Sequence, residues 1–368
     1  MRNVVVLCLV FFFAARGEAA QSREGVLRSI ISQAEKNVSA GKYEQAAQAL
    51  SGVIATARSN PAARAELGTA LNDLADVYRE LQRLSDAQAL LEEALATSEE
   101  IADSKMQIAV LNNLGLVLQL QGNFSEADST FQKSMLKARS QSGRESLLYA
   151  QILDNIGQLR IEEGKLKQAE AEFLEALRIR RKLADSNGPE VAESLNSIAG
   201  LFSLRGRYDK AEPLYREALT ATEGSFGRNH LRVAAILASL GGLYREQHRF
   251  DKAESALRRA LEIRQTALPP EHPAIARTLL YLGATQRDAG RYEDAAATLQ
   301  QAVATSRAAY PSSDPRIAVA LEAFAAVLTT LNKPADAAPI EREALQIRAF
   351  LQYKSPSSVR SQKAEGMP

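Results

Sequence analysis

A six-residue segment recurs eight times along this chain of 368 residues, and that recurrence limits the possible folds more than any other feature. It reads GKYEQA, QRLSDA, GNFSEA, GKLKQA, GRYDKA, HRFDKA, GRYEDA and NKPADA. The third residues are Tyr43, Leu84, Phe124, Leu166, Tyr208, Phe250, Tyr292 and Pro334, spaced by 41, then 40, then 42 residues throughout. Self-similarity at a period of roughly 20–50 residues marks an architecture in which one supersecondary unit is stacked on copies of itself.

The columns of the repeat have physical meanings. The last residue of the segment is always alanine, from Ala46 and Ala87 through to Ala295 and Ala337. An invariant small residue implies two helix backbones in close approach. Four residues later stands a bulky apolar side chain: Leu50, Leu91, Phe131, Phe173, Tyr215, Leu257 and Leu299, broken only by Glu341 in the eighth copy. Upstream, Leu71, Leu111, Leu153, Leu195, Leu237, Leu279 and Leu321 open a second stripe. Apolar and Ala/Gly residues follow three and four positions on, as in Leu114/Gly115 and Ile156/Gly157. Spacing at i, i+3 and i+4 is one face of an amphipathic helix. Each unit is therefore a helix–turn–helix hairpin, and stacked hairpins make an all-α solenoid whose stability sums over neighbours. Truncating a column leucine, as in Leu195→Ala, is expected to cost about 2–5 kcal/mol.

Composition agrees. Tryptophan is absent, aromatic residues are 6% and glycine (20) and proline (12) are sparse, which favours helix over sheet. Lys+Arg (45) balances Asp+Glu (44), so no bulk basic surface for nucleic acid is indicated.

The first twenty residues stand apart from the repeats. Arg2 precedes an uncharged apolar run, Val4 to Ala15, and then Gly17-Glu18-Ala19-Ala20. That order is the layout of a secretory signal peptide, with cleavage expected after Ala19 or Ala20, and the run is short for a membrane span. The expected organisation is residues 1–20 leader, 21–353 repeats and 354–368 disordered tail. The only cysteine, Cys8, belongs to the leader, and its removal leaves equal numbers of acidic and basic residues. The expected location is periplasmic or secreted, without stable membrane insertion once the leader is cleaved.

The loops between units carry Pro189, Pro273 and Pro315 at one position, suited to the first turn of a helix. Asp314 is placed to cap the helix that Pro315 opens.

These columns resemble the tetratricopeptide repeat: small and apolar residues in a first helix, Gly-x-Tyr at the turn, then a fixed alanine. The period of 42, Leu-Asn-Asn-Leu-Gly at 111–115, Pro-Glu-His-Pro-Ala-Ile-Ala at 270–276 and Ala-Leu-Glu-Ile-Arg at 260–264 resemble the longer kinesin-light-chain type. The resemblance implies a right-handed superhelix of about eight repeats that binds a partner on its concave side, where kinesin light chains carry a row of asparagines. With an export leader and no heptad region, it does not imply a motor role. Some tetratricopeptide proteins clamp a terminal carboxylate with Lys and Asn. Here Asp76 and Leu116 stand where an asparagine is wanted, and that activity is not implied.

Catalytic constellations are not found in the sequence: there is no phosphate loop, no Gly-x-Ser-x-Gly elbow and no His-Glu-x-x-His. No cofactor or metal is expected. His230 and His272 occupy one loop position in successive repeats. They form either a metal-binding or pH-sensitive ridge, or a position free to drift, since Gly188 and Asp314 hold the same place.

Groove residues are expected one, five, eight and nine positions after each column leucine. The candidates are Asn72, Asp76 and Arg79; Asn112 and Gln119; Asp154 and Gln158; Asn196; Arg245; and Arg287. The amides are suited to pairing with the main chain of an extended peptide. Arg79-Glu80, Arg245-Glu246 and Arg287-Asp288 are either carboxylate hooks or local ion pairs. The expected function is a non-catalytic scaffold binding a protein or peptide. The alternatives are a small-molecule or glycan sensor or enzyme using the same groove, and self-assembly through the end repeats.

Overall fold

The turn segment sets the hairpin. Its first residue takes the left-handed backbone conformation in every copy: Gly41, Gly122, Gly164, Gly206 and Gly290 have φ between 68° and 80°. Gln82, His248 and Asn332 hold the same conformation at 60°, 57° and 56° despite carrying side chains. This reverses the chain and closes the preceding helix with paired backbone bonds, as where Gly164 N–H donates to Ile161 (2.9 Å) and Lys165 N–H to Arg160 (2.7 Å). The next helix starts two residues later.

The computed structural model describes residues 24–38, 40–185 and 188–353, with side chains as far as 350. The expected leader and tail lie outside these residues. Among the described residues are sixteen α-helices, one short 3-10 turn (Pro61–Ala63) and no strand. They fall into two compact units that divide at residue 186.

The first unit pairs α1 (residues 24–38) with α2 (Tyr43–Arg58), α3 (Arg64–Glu80) with α4 (Leu84–Glu100), α5 (Ser104–Leu120) with α6 (Phe124–Ser142), and α7 (Leu147–Glu162) with α8 (Leu166–Leu183). The second pairs α9 (Pro189–Leu204) with α10 (Tyr208–Phe226), α11 (Leu231–Glu246) with α12 (Phe250–Ala267), α13 (Pro273–Asp288) with α14 (Tyr292–Ala309), and α15 (Pro315–Thr330) with α16 (Pro334–Tyr353). Within each unit the first helices also meet one another, α3 against α5 and α5 against α7, α9 against α11, α11 against α13 and α13 against α15.

The small-residue columns are where helices touch. Seven of the eight turn alanines, Ala46 to Ala295, are fully buried, and Ala337 is nearly so. Beneath the bulky column sit the glycines: a Cβ on Gly115 would meet the Phe131 ring at 2.5 Å, and one on Gly157 the Phe173 ring at 2.5 Å. The phenylalanines fill the space that glycine leaves, and both are essentially inaccessible to solvent.

Five first helices, α5, α7, α11, α13 and α15, are capped by side chains. Asp314 accepts from Arg316 N–H (2.9 Å), Asp103 from Lys105 and Met106 (3.0 Å each), and Ser146 from Tyr149 (3.2 Å). His230 and His272 do the same work through Nδ1, accepting from Arg232 (3.2 Å) and Ala274 (3.0 Å). The shared loop position is thus an N-cap. Burial, with Arg264 and Arg277 nearby, lowers His272 to about 4, so it is uncharged at neutral pH and keeps Nδ1 as an acceptor. Adjacent hairpins of the second unit are also tied by a repeated ion pair, Glu212–Arg249 (2.6 Å) and Glu254–Arg291 (2.5 Å).

Candidate functional site: an amide-lined cleft

In the first unit, the first helices present a row of primary amides one and two positions after each column leucine. The two positions interlock between neighbouring helices. Asn113 Nδ2 on α5 donates to Asn72 Oδ1 on α3 at 3.0 Å, and Asn155 Nδ2 on α7 donates to Asn112 Oδ1 on α5 at 2.7 Å. The bonds orient the side chains, and among the described residues the Asn113 and Asn155 carbonyl oxygens and the Asn112 amide N–H groups meet no protein partner.

These asparagines line a cleft of about 440 Å³. Glu35, Asp73, Asp76 and Arg79 share its walls, with Leu50 and Leu116 as apolar patches. Asp73 accepts from Asn72 Nδ2 at 3.3 Å through one oxygen, while its other oxygen is buried without a partner. Burial raises its pKa to about 6; the Asn72 bond opposes the rise, and the nearby Glu35 and Asp76 carboxylates add to it. Arg79 is engaged by Asp76 (2.6 Å) and Glu80 (2.8 Å). Burial works against its charge, and these two acids outweigh it, so its pKa is raised.

The cleft gathers Asn72, Asp76, Arg79 and Asn112 from the expected groove set. The other candidates stand elsewhere. Gln119 is buried and donates to Glu162 Oε1 at 2.8 Å. Asp154 is held in a tight ion pair with the buried Arg180. Gln158 is exposed on α7. Asn196, Arg245 and Arg287 belong to the second unit.

The Arg–acid motifs are ion pairs of the fold. Arg79 holds Glu80, and Arg287 holds Asp288 at 2.8 Å. Arg245 reaches across to Asp288 of the next hairpin at 2.6 Å.

Sequence reasoning missed Asp73, Asn113 and Asn155, which share the position two after the column leucine. The signal was present, since this column runs Asp73, Asn113, Asn155, Ser197, Ser239 before turning to Tyr281. Among the described residues, no group of three His, Cys, Asp or Glu is placed to hold a metal ion, and no helix is long and apolar enough to cross a membrane.

Comparison with known proteins agrees with this architecture. Two tetratricopeptide-repeat models match, one over residues 106–182, 190–266 and 274–349 and the other over 67–103. No curated protein matches the sequence. Among solved structures, a Rap protein complexed with Competence and Sporulation Factor is similar over 90% of this chain and all of its own, with a TM-score of 0.57 at 14% identity. A tetratricopeptide repeat protein from Parabacteroides merdae is similar over 82% of this chain and 98% of its own (TM-score 0.50, 17% identity). Nearly identical TPR-like repeats of a kinesin light chain described from Podosopora anserina are similar over 57% of this chain and all of their own (TM-score 0.50, 18% identity). At these identities the likeness is one of fold. With eight in-register copies of the hairpin, and repeat models covering well over half its length, the chain belongs to the tetratricopeptide repeat family.

Proposed function

We propose that this protein is a non-catalytic scaffold that holds an extended segment of another protein in the amide-lined cleft of its first unit. Tetratricopeptide repeats generally serve protein–protein interaction. The observation that carries the finer reading is the interlocked pair Asn72–Asn113 and Asn112–Asn155, which presents side by side carbonyl and N–H groups that no described residue engages. Main-chain N–H and C=O groups of an extended peptide offer the complementary alternation, largely independent of its side chains. The walls combine amides, carboxylates and Arg79 with apolar surface from Val38, Leu50 and Leu116 in about equal measure, more polar than the mostly apolar lining typical of small-molecule sites. The Rap protein solved with Competence and Sporulation Factor is an instance of this fold holding a ligand.

The test is selection of binders from a random peptide display library, followed by affinity measurement on Asn113→Ala/Asn155→Ala. The variant is expected to lose about tenfold or more, the worth of one to two hydrogen bonds, with unchanged helical circular dichroism. Equal affinity would reject this cleft as the site.

The proposal includes export by the leader at residues 1–20. Amino-terminal sequencing of protein recovered outside the cytoplasm should begin at Ala20 or Gln21; a retained Met1 would contradict it.

A further inference from the structure

An arginine recurs near the end of the second helix at two-repeat intervals, each 84 residues from the last: Arg180 in α8 and Arg264 in α12 are buried, and Arg348 in α16 is partly exposed. The position that faces it, one after the column leucine of the same hairpin, is Asp154, Ala238 and Glu322. In the first and third cases the pair is made. Arg180 Nη1 lies tight against Asp154 Oδ2, and Arg348 Nε and Nη2 meet the two Glu322 oxygens at 3.0 Å each. In the middle hairpin the acid is replaced by Ala238, and Arg264 has no carboxylate against it among the described residues.

Arg264 is nevertheless only 5% exposed. Its Nη1 donates to Thr278 Oγ1 and to the Ala274 carbonyl (3.3 Å) of α13, while Nε and Nη2 reach no described acceptor. A guanidinium so largely withdrawn from water, with no counter-charge, is unfavourable unless something supplies the charge. Its surroundings are anion-seeking. Arg277, exposed on α13 and in no ion pair among the described residues, lies near enough to repel it, and the exposed Tyr281 one turn on only partly offsets this. Burial and Arg277 lower the Arg264 pKa to about 10, the direction expected of a cation without its acid. Ala238 is itself partly open to solvent, so the place filled by Asp154 and Glu322 in the sister hairpins is reachable from outside.

We propose that the second unit takes a carboxylate from a bound chain at Ala238, where it pairs with Arg264 and takes the place of the acid that the hairpin lacks. The carboxylate is that of an aspartate or glutamate side chain or of a chain terminus. The site is built on a second-helix arginine, not on first-helix lysines. The inference rests on the scaffold reading above for what carries the carboxylate, and not for the site itself. Failure of the first-unit cleft to bind a library peptide would leave it standing.

The test follows the Arg264 Nε–H signal by NMR in the full chain, titrated with three probes: Ac-Gly-Glu-Gly-NH2, Ac-Gly-Gln-Gly-NH2, and Ac-Gly-Gly-Gly with a free terminus. A saturable shift with the glutamate probe or the free-terminus probe, and none with glutamine, is expected, and which of the two acts identifies the source. Ala238→Asp should restore the internal pair, raise the Tm and weaken the active probe by about tenfold or more, the worth of one charged hydrogen bond. Indistinguishable glutamate and glutamine titrations, an unmoved Arg264 signal, equal binding of inorganic phosphate, or unchanged affinity in Ala238→Asp would each overturn the proposal. Should Ala238→Asp fail to fold, the wild-type probe comparison alone decides.

Discussion

At the residue scale, Asp73 sets the electrostatic character of the cleft. One of its oxygens is buried without a partner, and the neighbouring carboxylates of Glu35 and Asp76 discourage ionisation. A carboxyl whose folded pKa is raised to about 6 favours the fold in its protonated form. That contribution is fully present below the unfolded value of about 4 and is lost as pH rises through about 6. Asp73→Asn removes the charge. It should stabilise the protein at pH 7 by roughly 1–3 kcal/mol, with the advantage shrinking as pH falls from 6 towards 4. Urea denaturation at a series of pH values measures this, and an advantage that grew on acidification would contradict it.

The same residue shows what the sequence withheld. The asparagines at 72 and 112 stood out because they follow the column leucine. Asp73, Asn113 and Asn155 one position on did not, because a single helix places neighbours on diverging radii. Only the apposition of α3, α5 and α7 brings the two columns into hydrogen-bond contact. Likewise, Asp154 read as a groove acid until Arg180, 26 residues away on the paired helix, was seen to hold it.

At the scale of the element, the hairpin was almost wholly legible. Alternating small and bulky columns fixed the contact faces, and the turn segment fixed the reversal. What the periodicity did not specify is which side chain occupies the space over each small residue. The structure places Phe131 over Gly115 and Phe173 over Gly157, so glycine and phenylalanine form one packing unit. Gly157→Ala therefore drives a methyl to within 2.5 Å of the Phe173 ring. Although alanine is the better helix former, overpacking should dominate and destabilise by about 1–3 kcal/mol, read as a shifted denaturation midpoint. The double variant Gly157→Ala/Phe173→Leu, which copies the alanine and leucine of the second repeat (Ala75 and Leu91), should recover part of that loss. A stabilising single variant would show that the ring has room to move.

At the scale of the whole molecule, the repeat explains the fold and its departures explain the chemistry. A strict repeat would give every hairpin the same surface. Instead, the asparagine rows concentrate in the first unit, and in the second the columns turn to Ala238, Tyr281 and Leu280. The near-zero net charge gives no long-range preference for a partner of either sign, so selectivity falls to local groups: amides in one unit, an unmatched arginine in the other.

The central claim, that the cleft reads main chain, is tested most directly by the affinity of one library-selected peptide measured in two parallel scans. In the first, each backbone amide is N-methylated in turn; in the second, each side chain is cut to alanine. Main-chain pairing with Asn112, Asn113 and Asn155 predicts losses of about tenfold or more at alternate N-methyl positions, weaker losses from most alanine substitutions, and disappearance of the N-methyl effect in Asn113→Ala/Asn155→Ala. A peptide indifferent to N-methylation and governed by one or two side chains would contradict it.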